Sequence, residues 1–524
     1  MNVLGSLEIN LEKIYSKEIR ILGLIILAAV IFRIIITPWN LPSVAPDVVV
    51  FFTEAFNFSH NNYDFFNSRF LWPLVLSLFF RVFEFETYTE YVNLIRLISI
   101  GLSVSTIPIV YFIAKQFVEK KYSILASLFF AFSIHIIENS TWGITEPLFL
   151  LLSLGSIYCM LRYNSKYTML SFIFAALAFD TRLNGIVILI IILLGYSMKI
   201  RSKKKLLFIF LIGISIFTII SIPHYYDADS EAIPIMNRFS STVNTNENNL
   251  SPHLLQTAKI FLNDEQLNPN SDKFHKITLL ENYFFAIIKE SYHFIIINVQ
   301  FLIFLLPIGL FFIFKNRIWK EYLLILGIII SIIIAIPQYT LSAEIRNLLL
   351  ILPLSSIIGI IGLEKILTNV KRKNVILTII IFSLIISSIV ILYPKTDNEL
   401  ITEKEMFGKY VSENYSGKIT GDLLYHVENN LFDLNSIPLK YKEGKGIKTD
   451  FPFFTLFNES QFTNYLKNNK ISYVIIDNQI DNRYPIFEEI FDNDEKYPYL
   501  IKSFDSNQEY EKLKVKIFKV NFQT

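Results

Sequence analysis

The stretch LWPLVLSLFFRVF, residues 71–83, decides the topology of this chain. It is apolar enough to enter a bilayer. At about 1.5 Å per helical residue, however, it falls well short of the roughly 30 Å of hydrocarbon that a crossing helix must bridge. It also opens on Trp72-Pro73. Counted as a crossing, it inverts the sidedness of every loop that follows. Read as a re-entrant or interfacial helix that returns to the side it left, it lets all the strongly basic loops fall on one side.

Those loops lie between apolar runs of near-spanning length. The runs are Ile21 to Thr37, Leu94 to Ala114, Tyr122 to Ile137, Pro147 to Leu161, Thr168 to Phe179, Ile186 to Met198, Leu206 to Pro223, Phe294 to Phe314, Tyr322 to Gln338, Leu348 to Leu363 and Val375 to Leu392. The first follows Lys13, Lys17 and Arg20 with no small-residue cleavage site behind it, so it reads as a retained span. With the N-terminus cytoplasmic, the inner loops carry Lys115, Lys120 and Lys121; Arg162 and Lys166; Lys199, Arg201 and Lys203 to Lys205; Lys315, Arg317 and Lys320; and Lys365 with Lys371 to Lys373. Basic loops stay in the cytoplasm. The N-x-S/T triplets at Asn57, Asn139, Asn249, Asn414 and Asn458 all fall on the opposite side.

Composition agrees with this class. Hydrophobic residues make up 52% of the chain and charged residues 18%, with a mean hydropathy of +0.44, which excludes a soluble protein with one core. The net charge of +2 leaves no bulk basic excess for nucleic acid. The single cysteine, Cys159, lies in an apolar run, so no internal disulfide can form.

Three outer segments exceed simple turns: a first loop, 38–93; a second, polar and Asn-rich, 224–293; and everything after Tyr393. The last is dense in Lys, Asp, Glu and Asn. Its strand-length apolar runs, Tyr473 to Ile476 and Val515 to Val520, and a helical segment at Gln461 to Asn468 predict a small α/β domain. The expected fold is an α-helical polytopic membrane protein of about eleven transmembrane helices over 1–394, with a small extracytoplasmic α/β domain over 395–524.

Charges that stand out fall on the outer side. In APDVVVFFTEAFNF, Asp47, Phe51, Glu54, Ala55 and Phe58 recur at helical spacing, which predicts an amphipathic surface helix with Asp47 at its start, as N-cap or as site. Glu146 opens an apolar run just before Pro147. AALAFDTRLNG places Asp180, Arg182 and Asn184 between two runs, where burying charge costs about 2.5–3.5 kcal/mol each at a helix centre unless a partner answers it. An Asp180/Arg182 pair is one such answer. Arg346 opens a further run on the same side, where snorkelling is the plain alternative.

The order of these elements resembles a known family. An Asp in the first outer loop is followed by SRFLWPLVLSLFFRVF, by RLISIGLSVSTIPIVYFIAKQFVEKKYSILASLFFAF, by TEPLFLLLSLGSIY and by LAFDTRLNG. The series is similar to the N-terminal module of GT-C class glycosyltransferases, membrane enzymes that use polyprenyl-phosphate-linked sugars, among them protein O-mannosyltransferases and lipid A aminoarabinose transferases. The likeness covers roughly Ile21 to Leu194 and, weakly, the run from Arg346. It implies Asp47 at the acceptor, Arg69 as the basic residue before the re-entrant helix, Glu146 at the TEP position and Arg182 at the TR position. The chain departs from the O-mannosyltransferases in lacking their paired Asp-Glu at Asp47-Val48. It also lacks the Trp-Trp-Asp signature of oligosaccharyltransferases, since none of its four Trp are adjacent.

With this resemblance, the residue types describe an inverting glycosyl transfer from a dolichyl or undecaprenyl phosphate sugar, hexosyl or pentosyl, to a hydroxyl on a glycan, lipid or protein acceptor at the extracytoplasmic face. Asp47 is the expected base, with Glu146 as the second catalytic carboxylate. Arg69, Arg182 and Arg346 are expected to hold the leaving phosphate through forked guanidinium contacts, with Glu54 as a further substrate contact. A divalent cation bridging Asp47 and Glu146 remains an open option. A flippase or transporter, a polymerase or hydrolase of lipid-linked glycans, and a receptor are the alternative classes. The transporter reading would favour repeated halves and broken helices near mid-membrane.

Overall fold

The structure describes residues 17–39, 46–62, 70–162, 164–221, 295, 302–316, 318–339, 345–368, 370–392, 398–428, 430–437, 439–441, 447–450, 459–478, 485–506 and 509–522. In this computed structural model every expected run carries a helix: α1 (Lys17–Ile36), α4 (Tyr88–Ala114), α5 (Lys120–Ala131) with α6 (Ile134–Trp142), α7 (Glu146–Arg162), α8 (Ser165–Thr181), α9 (Ile186–Lys199), α10 (Lys203–Ile220), α11 (Leu302–Asn316), α12 (Trp319–Tyr339), α13 (Ile351–Leu367) and α14 (Lys373–Leu392). The first loop supplies two more, α2 (Pro46–Ser59) and α3 (Leu71–Phe80). The second outer segment, 224–293, and, apart from Ile295, the start of the run expected from Phe294 lie outside the described residues.

Among the described residues three helices, α1 from Glu18, α4 and α14, are long and apolar enough to cross a bilayer, and α5 with α6 makes a fourth if a bent pair is one span. These helices place the chain in a membrane. The expected count of about eleven crossings is larger; among the described residues several other helices, such as α9 with 14 residues and α11 with 15, are shorter than a full crossing requires.

Local chemistry sets several boundaries. Thr87 and Glu90 form a reciprocal capping box at the start of α4. Asn164 and Ser202 cap α8 and α10 through their side chains. The run Tyr122 to Ile137, expected as one span, is instead bent by 50° between α5 and α6. Ser133 there is extended, with φ −69° and ψ 129°, and the Phe132 carbonyl that the break frees accepts from the Ser388 hydroxyl of α14. Arg33 of α1 is fully buried and ties three helices together, donating to Ser140 Oγ at 3.1 Å and Ser103 Oγ at 3.4 Å. Two of the five N-x-S/T triplets are closed to modification in the fold, since Asn57 and Asn139 are buried.

The run 71–83 becomes the short α3, whose Trp72, Leu76 and Phe80 are buried while Leu74, Leu78 and Phe79 face outward. It lies against α2, and Arg81 at its end donates to the Phe58 carbonyl at 3.1 Å.

Helices α11 and α13 pack closely through two glycines. A Cβ built on Gly309 would fall 1.9 Å from the Ile358 carbonyl oxygen, and one on Gly362 would fall 2.6 Å from the Gly309 nitrogen. Gly309→Ala is expected to push the pair apart and cost about 1–3 kcal/mol by overpacking. A lower melting temperature than that of Gly101→Ala, whose Cβ would meet nothing within 4 Å, checks this.

After α15 (Asn398–Asn414) the chain becomes α/β, with a five-stranded sheet of order β4-β1-β5-β7-β6. The strands are β1 (Gly417–Gly421), β4 (Ile447–Asp450), β5 (Tyr473–Asp477), β6 (Leu500–Asp505) and β7 (Val515–Val520); β4, β1 and β5 run parallel, and β7 is antiparallel to both neighbours. Alternation along β5 sends Ile475 into a core with Phe407 and Val411 of α15. Val474 and Ile476 go to the opposite face, against α17 (Glu459–Asn468) and α18 (Pro485–Asp492). Between β1 and β4 lie a short helix, α16 (Leu424–Glu428), and a small antiparallel hairpin, β2 (Phe432–Asp433) with β3 (Lys440–Tyr441).

Candidate active site

Four of the expected charges converge. Asp47 stands in the first turn of α2, and its Oδ2 lies 2.6 Å from Nη1 of Arg346, in the 3-10 turn Ile345–Leu348 ahead of α13. Nε of Arg346 lies 3.7 Å from Oε1 of Glu146. Glu146 is the first residue of α7, where the helix N-terminus favours an anion. The same Oε1 is paired with Arg182 Nη1, and that nitrogen also donates to Thr145 Oγ1 at 3.3 Å. The Thr145 hydroxyl in turn donates to Glu146 Oε2 at 3.2 Å. The four side chains form a ladder from interior to surface, with side-chain exposures of 1% at Glu146, 10% at Arg182, 19% at Arg346 and 31% at Asp47.

The backbone around Arg182 explains why LAFDTRLNG has this pattern. α8 stops at Thr181, Arg182 is extended at φ −152° and ψ 136°, and a 3-10 turn over Leu183–Gly185 doubles back onto the helix end. A Cβ on Gly185 would lie 2.3 Å from the Phe179 nitrogen, so only glycine permits the return. The turn aims Arg182 across to α7. The local alternative, an Asp180/Arg182 pair, is not formed: Asp180 is fully buried in the last turn of α8, and the guanidinium goes to Glu146.

Glu54 is buried on α2, two turns beyond Asp47. Arg69 lies outside the described residues. Thr145, which ties both carboxylate and guanidinium of the inner pair, carried no signal in the sequence beyond its place beside Glu146. A narrow crevice lined by Ser103, Thr106, Asn139, Glu146 and Leu150 runs between α4, α6 and α7 to the same carboxylate; its Ser103 and Thr106 hydroxyls sit within an apolar run and were not anticipated.

The arrangement does not suit a divalent cation held between Asp47 and Glu146. The Arg346 guanidinium stands between these two carboxylates, and among the described residues no three His, Cys, Asp or Glu side chains come together. What the ladder offers is two guanidiniums, each held by a carboxylate, with the outer pair within reach of solvent.

All four residues lie at one end of the helical layer, since α2, α7 and α13 begin there and α8 ends there. The basic connections gather at the other end. Lys120 pairs with Glu18 at 3.1 Å, Lys199 stacks over Trp319 at 5.7 Å, and Glu119 N–H donates to Glu364 at 3.0 Å.

Comparison with known proteins gives this geometry a frame. Residues 69–226 match the family model described as dolichyl-phosphate-mannose-protein mannosyltransferase. ArnT from Cupriavidus metallidurans bound to undecaprenyl phosphate superimposes with a TM-score of 0.51 at 9% identity, over 95% of this chain and 97% of that one. The chain has the GT-C glycosyltransferase fold. Two structures from Archaeoglobus fulgidus share the GT-C architecture. The oligosaccharyltransferase in complex with Zn and sulfate has a TM-score of 0.56 at 12% identity, over 86% of this chain and 68% of that one. The oligosaccharyltransferase AglB with an inhibitory peptide and a dolichol-phosphate has a TM-score of 0.53 at 12% identity, over 89% and 70%. No curated protein sequence matches the chain. In this GT-C fold the matched segment, 69–226, contains Glu146 and Arg182, while Asp47 and Arg346 reach the same place from outside it.

Proposed function

We propose that the chain is an inverting glycosyltransferase that moves a sugar from a polyprenyl phosphate to an acceptor hydroxyl on the extracytoplasmic face of the membrane. The observation that carries this reading is the ladder Asp47–Arg346–Glu146–Arg182. It sets the partly exposed Asp47 carboxylate beside the Arg346 guanidinium, with Arg182 behind it on Glu146, at the end of the bundle away from the basic connections.

At rest Arg346 is bonded to Asp47. An incoming donor phosphate competes for that guanidinium and for Arg182, because a forked guanidinium matches phosphate oxygens as well as carboxylate. Binding then frees Asp47. The acceptor oxygen attacks the anomeric carbon, its proton passes to the Asp47 carboxylate, and the bond from that carbon to the phosphate oxygen breaks. The electron pair and negative charge go to the polyprenyl phosphate, which the two guanidiniums stabilise. Attack from the face opposite the leaving group inverts the anomeric centre, the logic of inverting glycosidases with the acceptor in place of water. Glu146, expected as a second catalytic carboxylate, is assigned a positioning role in this reading: 1% exposed, it holds both guanidiniums in place.

The test is transfer from a radiolabelled polyprenyl-phosphate sugar by the purified protein in lipid nanodiscs, with the anomeric configuration of the product read by NMR. Product of retained configuration, or no product and no free carrier phosphate from either dolichyl or undecaprenyl donors, would overturn the reading. The sidedness has its own check. Cysteines placed at Ser202 and Asn468, both exposed, are expected to differ in intact cells, with only the second labelled by an impermeant maleimide. Equal labelling of both would sink the extracytoplasmic assignment.

A further inference from the structure

We propose that the hairpin β2–β3 of the C-terminal α/β unit is a strap that holds α2, and through it Asp47, in register with Arg346; the proposal rests on the reading of Asp47 as the base. Two independent contacts carry it. Asn57, fully buried near the end of α2, accepts the Leu439 backbone N–H at 2.8 Å, a bond that joins positions 382 residues apart. Phe432 packs its ring 5.4 Å from Phe52 of α2 and 5.4 Å from Tyr88 of α4, and Leu439 belongs to the same buried cluster.

The geometry suits positioning more than simple cover. Phe52 is the centre of the cluster, with Tyr88 edge-on at 4.8 Å, Tyr91 at 5.5 Å, Phe56 at 5.8 Å and Phe80 at 6.1 Å, so α2 is fixed in rotation about its own axis by rings from three other elements. Among the described residues the Asn57 Nδ2 has no hydrogen-bond partner, so this amide accepts a buried cost to present its oxygen to Leu439. A leucine at this position would fill the space without that cost, whereas the amide fixes one backbone to one helix. Asp47 sits at the far end of the same fourteen-residue helix, and a helix passes rotation and tilt from one end to the other. Asp47 contacts Arg346 at 2.6 Å, and a shift of about 1 Å in a reacting group can cost about 10²-fold in rate. Phe432 and Asn57 are therefore positioning residues.

Phe432→Ala and Asn57→Ala in the full chain, each in nanodiscs, test this by amide hydrogen exchange and by transfer kinetics. The expected result is at least tenfold faster exchange across residues 46–59, unchanged protection in α13 and in strands β5 and β7, and a fall of about tenfold or more in kcat with the donor KM retained. Phe432→Leu, which keeps apolar volume, is expected to recover most of both. Exchange over 46–59 equal to wild type in a folded Phe432→Ala would overturn the strap. So would faster exchange with kcat unchanged, since α2 would then be loosened without consequence for Asp47. A wild-type protein inert toward every lipid-phosphate donor would overturn the glycosyltransferase reading instead, and the exchange data would decide the strap separately.

Discussion

Asp47→Asn is expected to lower single-turnover sugar transfer by about 10²-fold or more while leaving donor binding intact or tighter. A positioned carboxylate contributes about 10²–10⁴-fold as a general base, and asparagine keeps the size of aspartate but cannot take the proton. The structure adds the second half of the expectation. Asp47 is bonded to Arg346 at 2.6 Å, so the aspartate competes with the donor phosphate for that guanidinium. Removing its charge removes the competitor. Carrier-lipid binding by the variant, measured beside its turnover, separates a lost base from a lost phosphate site. Turnover like wild type would end the assignment of Asp47 as base, and a loss of donor affinity matching the loss of rate would turn the residue into a binding group.

How much of this was legible in the sequence depended on whether the decisive contact was local. Periodicity in APDVVVFFTEAFNF was sufficient to predict α2 with Asp47 at its start, because helical spacing is a short-range property. Apolar runs located the helices for the same reason, and missed the bend at Ser133, which depends on Ser388 of α14 meeting the freed carbonyl from 256 positions away. The partner of Arg182 was misjudged in one alternative for a related cause. Asp180 is near in sequence, but it is buried in the last turn of α8 while Arg182 is extended just beyond the helix end, and the packing of α7 on α8 carries Glu146 to the guanidinium. Arg33 attracted no attention in an apolar run, although its full burial and its bonds to Ser103 and Ser140 make it a tie between α1, α4 and α6. The hairpin that meets α2 is four paired residues in a polar stretch, too short for any strand signal to predict.

The inner pair of the ladder yields the other large effect. Arg182→Ala is expected to destabilise the folded protein by about 3–5 kcal/mol, because it strands the Glu146 carboxylate, which is 1% exposed, with its stronger partner gone. Arg346 stands 3.7 Å from that carboxylate and is itself engaged with Asp47, so it compensates only in part. The double variant Arg182→Met with Glu146→Leu removes both charges and is expected to recover most of the melting temperature, since a well-packed apolar pair often equals or exceeds a buried ion pair in stability. It should not recover transfer. Arg182→Lys keeps a charge for Glu146 and is expected to fold, but an ammonium cannot reproduce the planar fork, so donor binding should weaken. Asp180→Asn should leave donor affinity unchanged, because Asp180 has no part in the ladder. Thermal unfolding and carrier-lipid binding across these four variants separate the two roles open to Arg182. A stable double variant that still binds and turns over donor would make the pair purely structural, and a folded Arg182→Lys with undiminished donor affinity would remove the residue from the phosphate site.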